Sequence, residues 1–212
     1  VTWAAVSIAD KVDTIAGLFG AGEKPTGSRD PLGIRRQAQG VLRLLIDLPA
    51  LTGLEVRVSI GELQRMAHDA QVDVIPVEAD RRELQFLLER LRYLLEERGF
   101  DVRNVRAVTQ QPVYTLRPLD ARRKLEVLPE FTDTADFQKL ATLFKRVKNI
   151  ARELPNKEWV QAETSGESLG DVLREPSERV LLDELEKRRS VIEAAVASGH
   201  GFRNAFAEAA KF

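Results

Sequence analysis

EADRRELQFLLERLRYLLEERG, residues Glu78 to Gly99, decides the fold. Leu84, Leu87, Leu88, Leu91, Leu94 and Leu95 recur at spacings of three and four, which puts them on one side of a helix. Arginines and glutamates fill the other side. Gly99 closes the run, as expected of the residue that most readily turns left-handed past a helix end. The pattern predicts a helix over 78–98, and its unbroken leucine stripe needs apolar partners from other elements.

Upstream of this helix, apolar residues at Ala5, Ile8, Ala9, Val12, Ile15, Ala16 and Phe19 share one face, so a first helix is predicted there, ended by Gly20, Gly22 and Pro25. The loop GEKPTGSRDP follows. Asp30 is expected as N-cap with Pro31 at the first helical position, and the next helix should run to about Asp47 and stop at Pro49. LEVRVSI, Leu54 to Ile60, alternates like a short strand, but no partner strand is evident, and a helix over 61–70 is expected after it. Downstream, a short helix is predicted near 101–108. The loop between Pro112 and Pro118 is the candidate domain boundary, separating 1–116 from 117–212. Further helices are predicted at about 118–128, 134–154, 177–198 and 202–211, with a polar stretch over 155–170. The predicted fold class is all-α, in two consecutive helical bundles.

The bulk properties narrow the chemistry. With 212 residues, 43% apolar and 31% charged, the chain is long enough for a buried core and has the balance of a soluble globular protein. A net charge of −1 means that any nucleic-acid surface must be a local patch. No cysteine is present, which excludes disulfides, thiol catalysis and cysteine-bound zinc, and suits a reducing compartment. No apolar run approaches the roughly 20 residues of a membrane span. The sequence opens on Val1 and closes on Phe212 within a helix-like pattern, so it is expected to be a piece of a longer protein.

Three places carry chemistry. Asp10 and Asp13, three apart on the first helix, can together hold a hard cation or share a proton; they read equally as solvated acids near a helix start. In PTGSRDP, Thr26, Ser28 and the amides at the following helix start can receive a phosphate, with Arg29, Arg35 and Arg36 adding positive charge. The same groups can simply cap the helix, and the arginines can pair with Asp10, Asp13 or Asp30. In DTADFQKLATLFKRVKNIARELP, Phe137, Leu140, Phe144, Val147 and Ala151 form the face expected to be buried. Lys145, Arg146, Lys148, Asn149 and Arg152 lie on the other sides, and Lys139 to Arg152 contains five bases and no acid. Such a stripe suits phosphate contacts, with Asn149 able to reach a base edge; the competing reading is an ordinary solvated face. The dipeptide His68-Asp69 looks like a metal-ligand pair, but no second histidine lies near it, and it reads as chance.

ADKVDTIAGLFGAGEKPTGSRDPLGIRR resembles a diagnostic segment of the bacterial glycyl-tRNA synthetase beta subunit, whose pattern is close to ADKxDTLxGxFxxGxxPTGSxDPFxLRRxA. The likeness runs through Ala9, Asp10, Lys11, Asp13, Thr14, Gly17, Phe19, Gly22, Pro25, Thr26, Gly27, Ser28, Asp30, Pro31, Arg35, Arg36 and Ala38. Leu32 stands where Phe is usual, and Gly33-Ile34 where Ala-Leu is usual. ERLRYLLEERGFDVRNVRAV, LRPLDARRKLEVLPEF and FKRVKNI resemble later parts of the same family. The resemblance implies that the first part closes a domain similar to the HD phosphohydrolases, with Asp10 at a vestigial metal-ligand position. The histidines that would complete that site are not in this sequence, so no metal is expected. It implies that the second part is an anticodon-binding bundle lacking its last helices, with Lys145, Arg146, Lys148, Asn149 and Arg152 toward RNA. The expected partners are glycine tRNA and the alpha subunit, in a tetramer of two alpha and two beta subunits. The catalytic site would lie on the alpha subunit, the whole enzyme would use ATP, and this portion would need no cofactor and carry no catalytic residue. The expected location is the cytoplasm. Two other readings compete: a metal-dependent HD-type phosphohydrolase, and a structural bundle whose bases are mere surface.

Overall fold

The computed structural model describes residues 2–23, 25, 30, 32–70, 77–153 and 175–211, with side chains described for all of these except 77–79, 150–153 and 178. These residues form ten α-helices, one 3-10 turn and no strand, so the fold is all-α. The helices are α1 Thr2–Gly20, α2 Ile34–Thr52, α3 Ile60–Ala70, α4 Val77–Glu97, α5 Val102–Val108, α6 Pro118–Val127, α7 Pro129–Thr132, α8 Ala135–Glu153, α9 Pro176–Ser198 and α10 Phe202–Ala209; the 3-10 turn is Val113–Thr115. Two compact units divide them, Val1–Glu126 and Val127–Phe212. The division falls after Glu126 rather than at 116, because Ala121 and Leu125 of α6 belong to the core of the first unit.

α4 is the centre of the first unit and packs on α1, α2, α3, α5 and the 3-10 turn. Its leucine stripe does what the spacing required. Leu91, Leu94 and Leu95 are at most 1% exposed, Leu87 and Leu88 are buried, and Leu84 is partly buried. Each fully buried leucine contributes roughly 2 kcal/mol of apolar burial. Ile15 of α1, Leu42, Leu45 and Ile46 of α2 and Ile60 of α3 complete the layer beneath it. Ion pairs close its rim, including Arg43–Glu97 at 3.0 Å and Arg98–Asp47 at 2.6 Å.

Two predicted helix ends differ. Asp30 is not the N-cap of α2: the cap is Gly33, at φ 70°, and Asp30 reaches forward to accept the Arg35 amide at 3.1 Å. Pro49 does not stop α2 but lies inside it. The helix continues because Leu48 is buried, and it ends at Gly53, whose φ of 73° supplies the left-handed cap and whose amide bonds the Pro49 carbonyl at 2.9 Å. LEVRVSI forms no strand. Ser59 and Glu62 instead make a reciprocal capping box that starts α3, with Ser59 N donating to Glu62 Oε2 at 2.7 Å and Glu62 N donating to Ser59 Oγ at 3.1 Å. Arg57, two residues earlier, makes a two-pronged pair with Asp120 of α6 at 3.0 and 2.9 Å.

The second unit is more open. Phe206 of α10 meets Phe131 at 5.8 Å and the edge of Phe137 at 6.4 Å, and α9 packs on α10. The face of α8 expected to be buried is covered only at its start: Phe137 and Leu140 are half-buried, while Phe144 is 65% and Val147 53% exposed. Ala151 lies among the side chains not described.

Candidate functional site

α8 presents the basic surface. Thr134 caps its start, accepting the Phe137 amide at 3.4 Å, and nothing interrupts the helix through FKRVKNI. Lys145, Arg146, Lys148 and Asn149 are all exposed, and the three bases make no ion pair among the described residues. Lys139 differs, since Asp136 neutralises it at 3.2 Å. Lys145, Lys148 and Asn149 lie three and four apart on one side of the helix. Arg146 is about 100° round, where it lines a shallow depression with Gln138, Thr142 and Leu143. The backbone of Arg152 continues the helix, and its side chain is outside the described set. The arrangement is a row of cations without an ion-pair partner among the described residues, with an amide among them, which can receive a polyanion.

The α1–α2 connection is the second predicted site. Thr26, Ser28 and Arg29 lie outside the described residues. Arg35 and Arg36 occupy the first turn of α2, with Arg35 half-buried and Arg36 exposed and folded back over Gly33. The Arg35 amide, one of the donors a phosphate would use, already bonds the Asp30 carboxylate, so an internal anion holds part of this helix start. Asp10 and Asp13 are both exposed on α1 and stand at the edge of an apolar groove of about 690 Å³ lined by residues such as Ile8, Val12, Leu45, Leu63 and Met66. The Asp10 carbonyl accepts from Thr14 Oγ1 at 2.8 Å, which is a local helix bond rather than a ligand geometry. Among the described residues no three histidine, aspartate or glutamate side chains converge as a metal site.

His68, read as chance in the sequence, sits in a polar cluster between α3 and α4. Its ring lies between Asp80 and Glu83 of α4, and Glu83 is fully buried. Burial pushes the Glu83 carboxyl above the usual carboxylate range, against the opposing bonds from Gln64 and His68. No spacing rule within one helix would have found this cluster, because its members come from two. Among the described residues no helix is long and apolar enough to cross a membrane.

The geometry defines an all-α chain with a row of exposed bases on one helix, and comparison with known proteins gives its family. The sequence profile of the glycyl-tRNA synthetase beta subunit matches residues 2–110. The chain is 37% identical over 155 residues to the glycine–tRNA ligase beta subunit of Ectopseudomonas mendocina, covering 70% of this chain and 21% of that protein. It is 33% identical over 181 residues to that of Ralstonia nicotianae, covering 85% and 24%. The beta subunit of Sodalis glossinidius is 32% identical over 213 residues, 97% of this chain and 28% of the relative. The chain belongs to the glycyl-tRNA synthetase beta subunit family. It spans about a quarter of the length of the relatives it matches.

Proposed function

We propose that this chain is a tRNA-holding portion of the beta subunit of a glycine–tRNA ligase and supports the ATP-dependent attachment of glycine to its tRNA. The observation that carries the reading is the FKRVKNI helix, whose three bases are exposed and make no ion pair among the described residues, within a chain of this family. In this reading Lys145, Arg146, Lys148 and Arg152 meet phosphates, and Asn149 meets a base. Arg35 and Arg36, with Thr26, Ser28 and Arg29, form a secondary phosphate contact. The chemistry of adenylation and transfer belongs to the alpha subunit, and this portion supplies no catalytic group and needs no cofactor. The partners are glycine tRNA and the alpha subunit, in a tetramer of two of each, in the cytoplasm.

Phosphate contacts release counterions, so each lost contact weakens binding of any tRNA and flattens the dependence of affinity on salt by about one unit. The test is a binding titration of the full-length beta subunit carrying Lys145→Ala, Arg146→Ala or Lys148→Ala against glycine tRNA at low and high salt. Weaker binding with a flatter salt slope supports the assignment. Wild-type binding by all three at both salts removes α8 from the interface.

A further inference from the structure

Phe144 stands apart from the other rings of its unit. Phe206 lies 5.8 Å from Phe131 and 6.4 Å from Phe137, and Phe202 is buried. Phe144 takes no part in that cluster. It is 65% exposed, whereas every other phenylalanine among the described residues is buried or partly buried. A ring held in water on a well-formed helix has apolar area still to bury.

Its neighbours on α8 narrow what could cover it. By helical geometry Lys148 lies about 40° round from Phe144 and one turn further along, Lys145 about 100° round and Asn149 about 140°. Val147 and Leu143, both exposed, lie on the opposite flank. The ring thus sits at the seam between an apolar strip and the basic row. Other bases of this unit have acids beside them: Lys139 has Asp136 at 3.2 Å, Arg189 has Glu193 at 2.7 Å and Arg203 has Glu130 at 2.6 Å. Lys145 and Lys148 make no ion pair among the described residues.

An apolar protein segment laid over Phe144 would also strip water from Lys148 and Lys145 without supplying a counter-charge, and an unpaired cation is costly to desolvate. RNA with an unpaired base supplies both halves of the match: a flat face for the ring, and phosphates for the ammonium groups. A duplex does not, because its bases stay inside their own stack. We propose that Phe144 is a stacking residue, receiving the face of an unpaired base whose flanking phosphates meet Lys145 and Lys148. This rests on the reading of α8 as an RNA-facing helix. Every base has a π-face, so the ring gives affinity without discrimination, and discrimination is left to Asn149.

The experiment is a binding titration of the full-length beta subunit carrying Phe144→Ala or Phe144→Tyr, with Lys145→Ala alongside. Glycine tRNA and an anticodon-swapped tRNA are the probes, at low and high salt. Phe144→Ala should weaken binding of both tRNAs by roughly 5- to 100-fold, the size of one base–aromatic stack. Its salt slope should match the wild type, since no cation is lost, whereas Lys145→Ala flattens the slope. Phe144→Tyr keeps a ring and should bind like the wild type. Wild-type binding by Phe144→Ala, with Lys145→Ala weakened, overturns the stacking role and leaves the phosphate reading standing. Wild-type binding by both overturns the two together. The melting temperature without tRNA supplies the control: it should be unchanged in Phe144→Ala. A clear drop, or failure to fold, would show that a protein segment of the subunit covers the ring, and overturns the proposal.

Discussion

At the scale of single residues, geometry separates charges that hold the fold from charges available to a ligand. Arg57 and Asp120 are joined by two bonds, and Asp120 is 7% exposed. The pair lifts the Arg57 guanidinium further above its ordinary value, chiefly through the hydrogen bond to Asp120. Removing one partner strands the other, so Asp120→Ala should lower stability by about 3 kcal/mol, the low end for a buried pair because Arg57 keeps some water contact. Urea denaturation measures it. Asp13 is exposed, so Asp13→Ala should change stability by no more than about 1 kcal/mol. Asn149 carries the sharpest functional expectation. Asn149→Ala in the full-length beta subunit should cost roughly 1–3 kcal/mol of binding for glycine tRNA and little for an anticodon-swapped tRNA. Equal losses for both would make it a backbone contact.

At the scale of elements, close approach sets the tolerance. A Cβ built on Gly61 of α3 would lie 2.6 Å from the Tyr114 carbonyl oxygen, and backbone cannot swing aside as a side chain can. Gly61→Ala should therefore lower the melting temperature although alanine is the better helix former by about 1 kcal/mol. A raised melting temperature would mean that the 3-10 turn yields easily. α4 is intolerant for a different reason. Leu91 is 0% exposed at its centre, and Leu91→Ala should cost about 2–5 kcal/mol through lost burial and the cavity left behind. α8 contrasts with both, since Phe144 and Val147 already face outward and truncating them leaves no cavity among the described residues.

At the scale of the molecule, the two units are unequally built. Among the described residues, only Leu128, Phe202 and Ala205 of the buried apolar set belong to the second unit. The first should therefore carry most of the cooperative stability. Denaturant unfolding of a Trp159→Phe variant, followed at Trp3 and by total helicity, should give non-coincident transitions, the second unit melting earlier. A single coincident transition would show the two units to be energetically one.

The all-α class, the leucine stripe of α4 and the basic row of α8 were determined by sequence alone, because each is a periodic pattern within one helix and helical geometry converts spacing directly into a face. The family segments were legible for the same reason of locality, from ADKVDTIAGLFG through FKRVKNI. Contacts between elements were not. Asp30 reaching past a left-handed Gly33, Pro49 carried inside α2 by the burial of Leu48, and α6 counted with the first core depend on which surfaces meet, and spacing does not encode that. Glu83 shows the difference most clearly. On the sequence it is one acid among many in α4, and only packing against α3 removes its water and places His68 3.0 Å away. A charge taken out of water must find a partner or keep a proton, and which of these occurs is decided by tertiary structure.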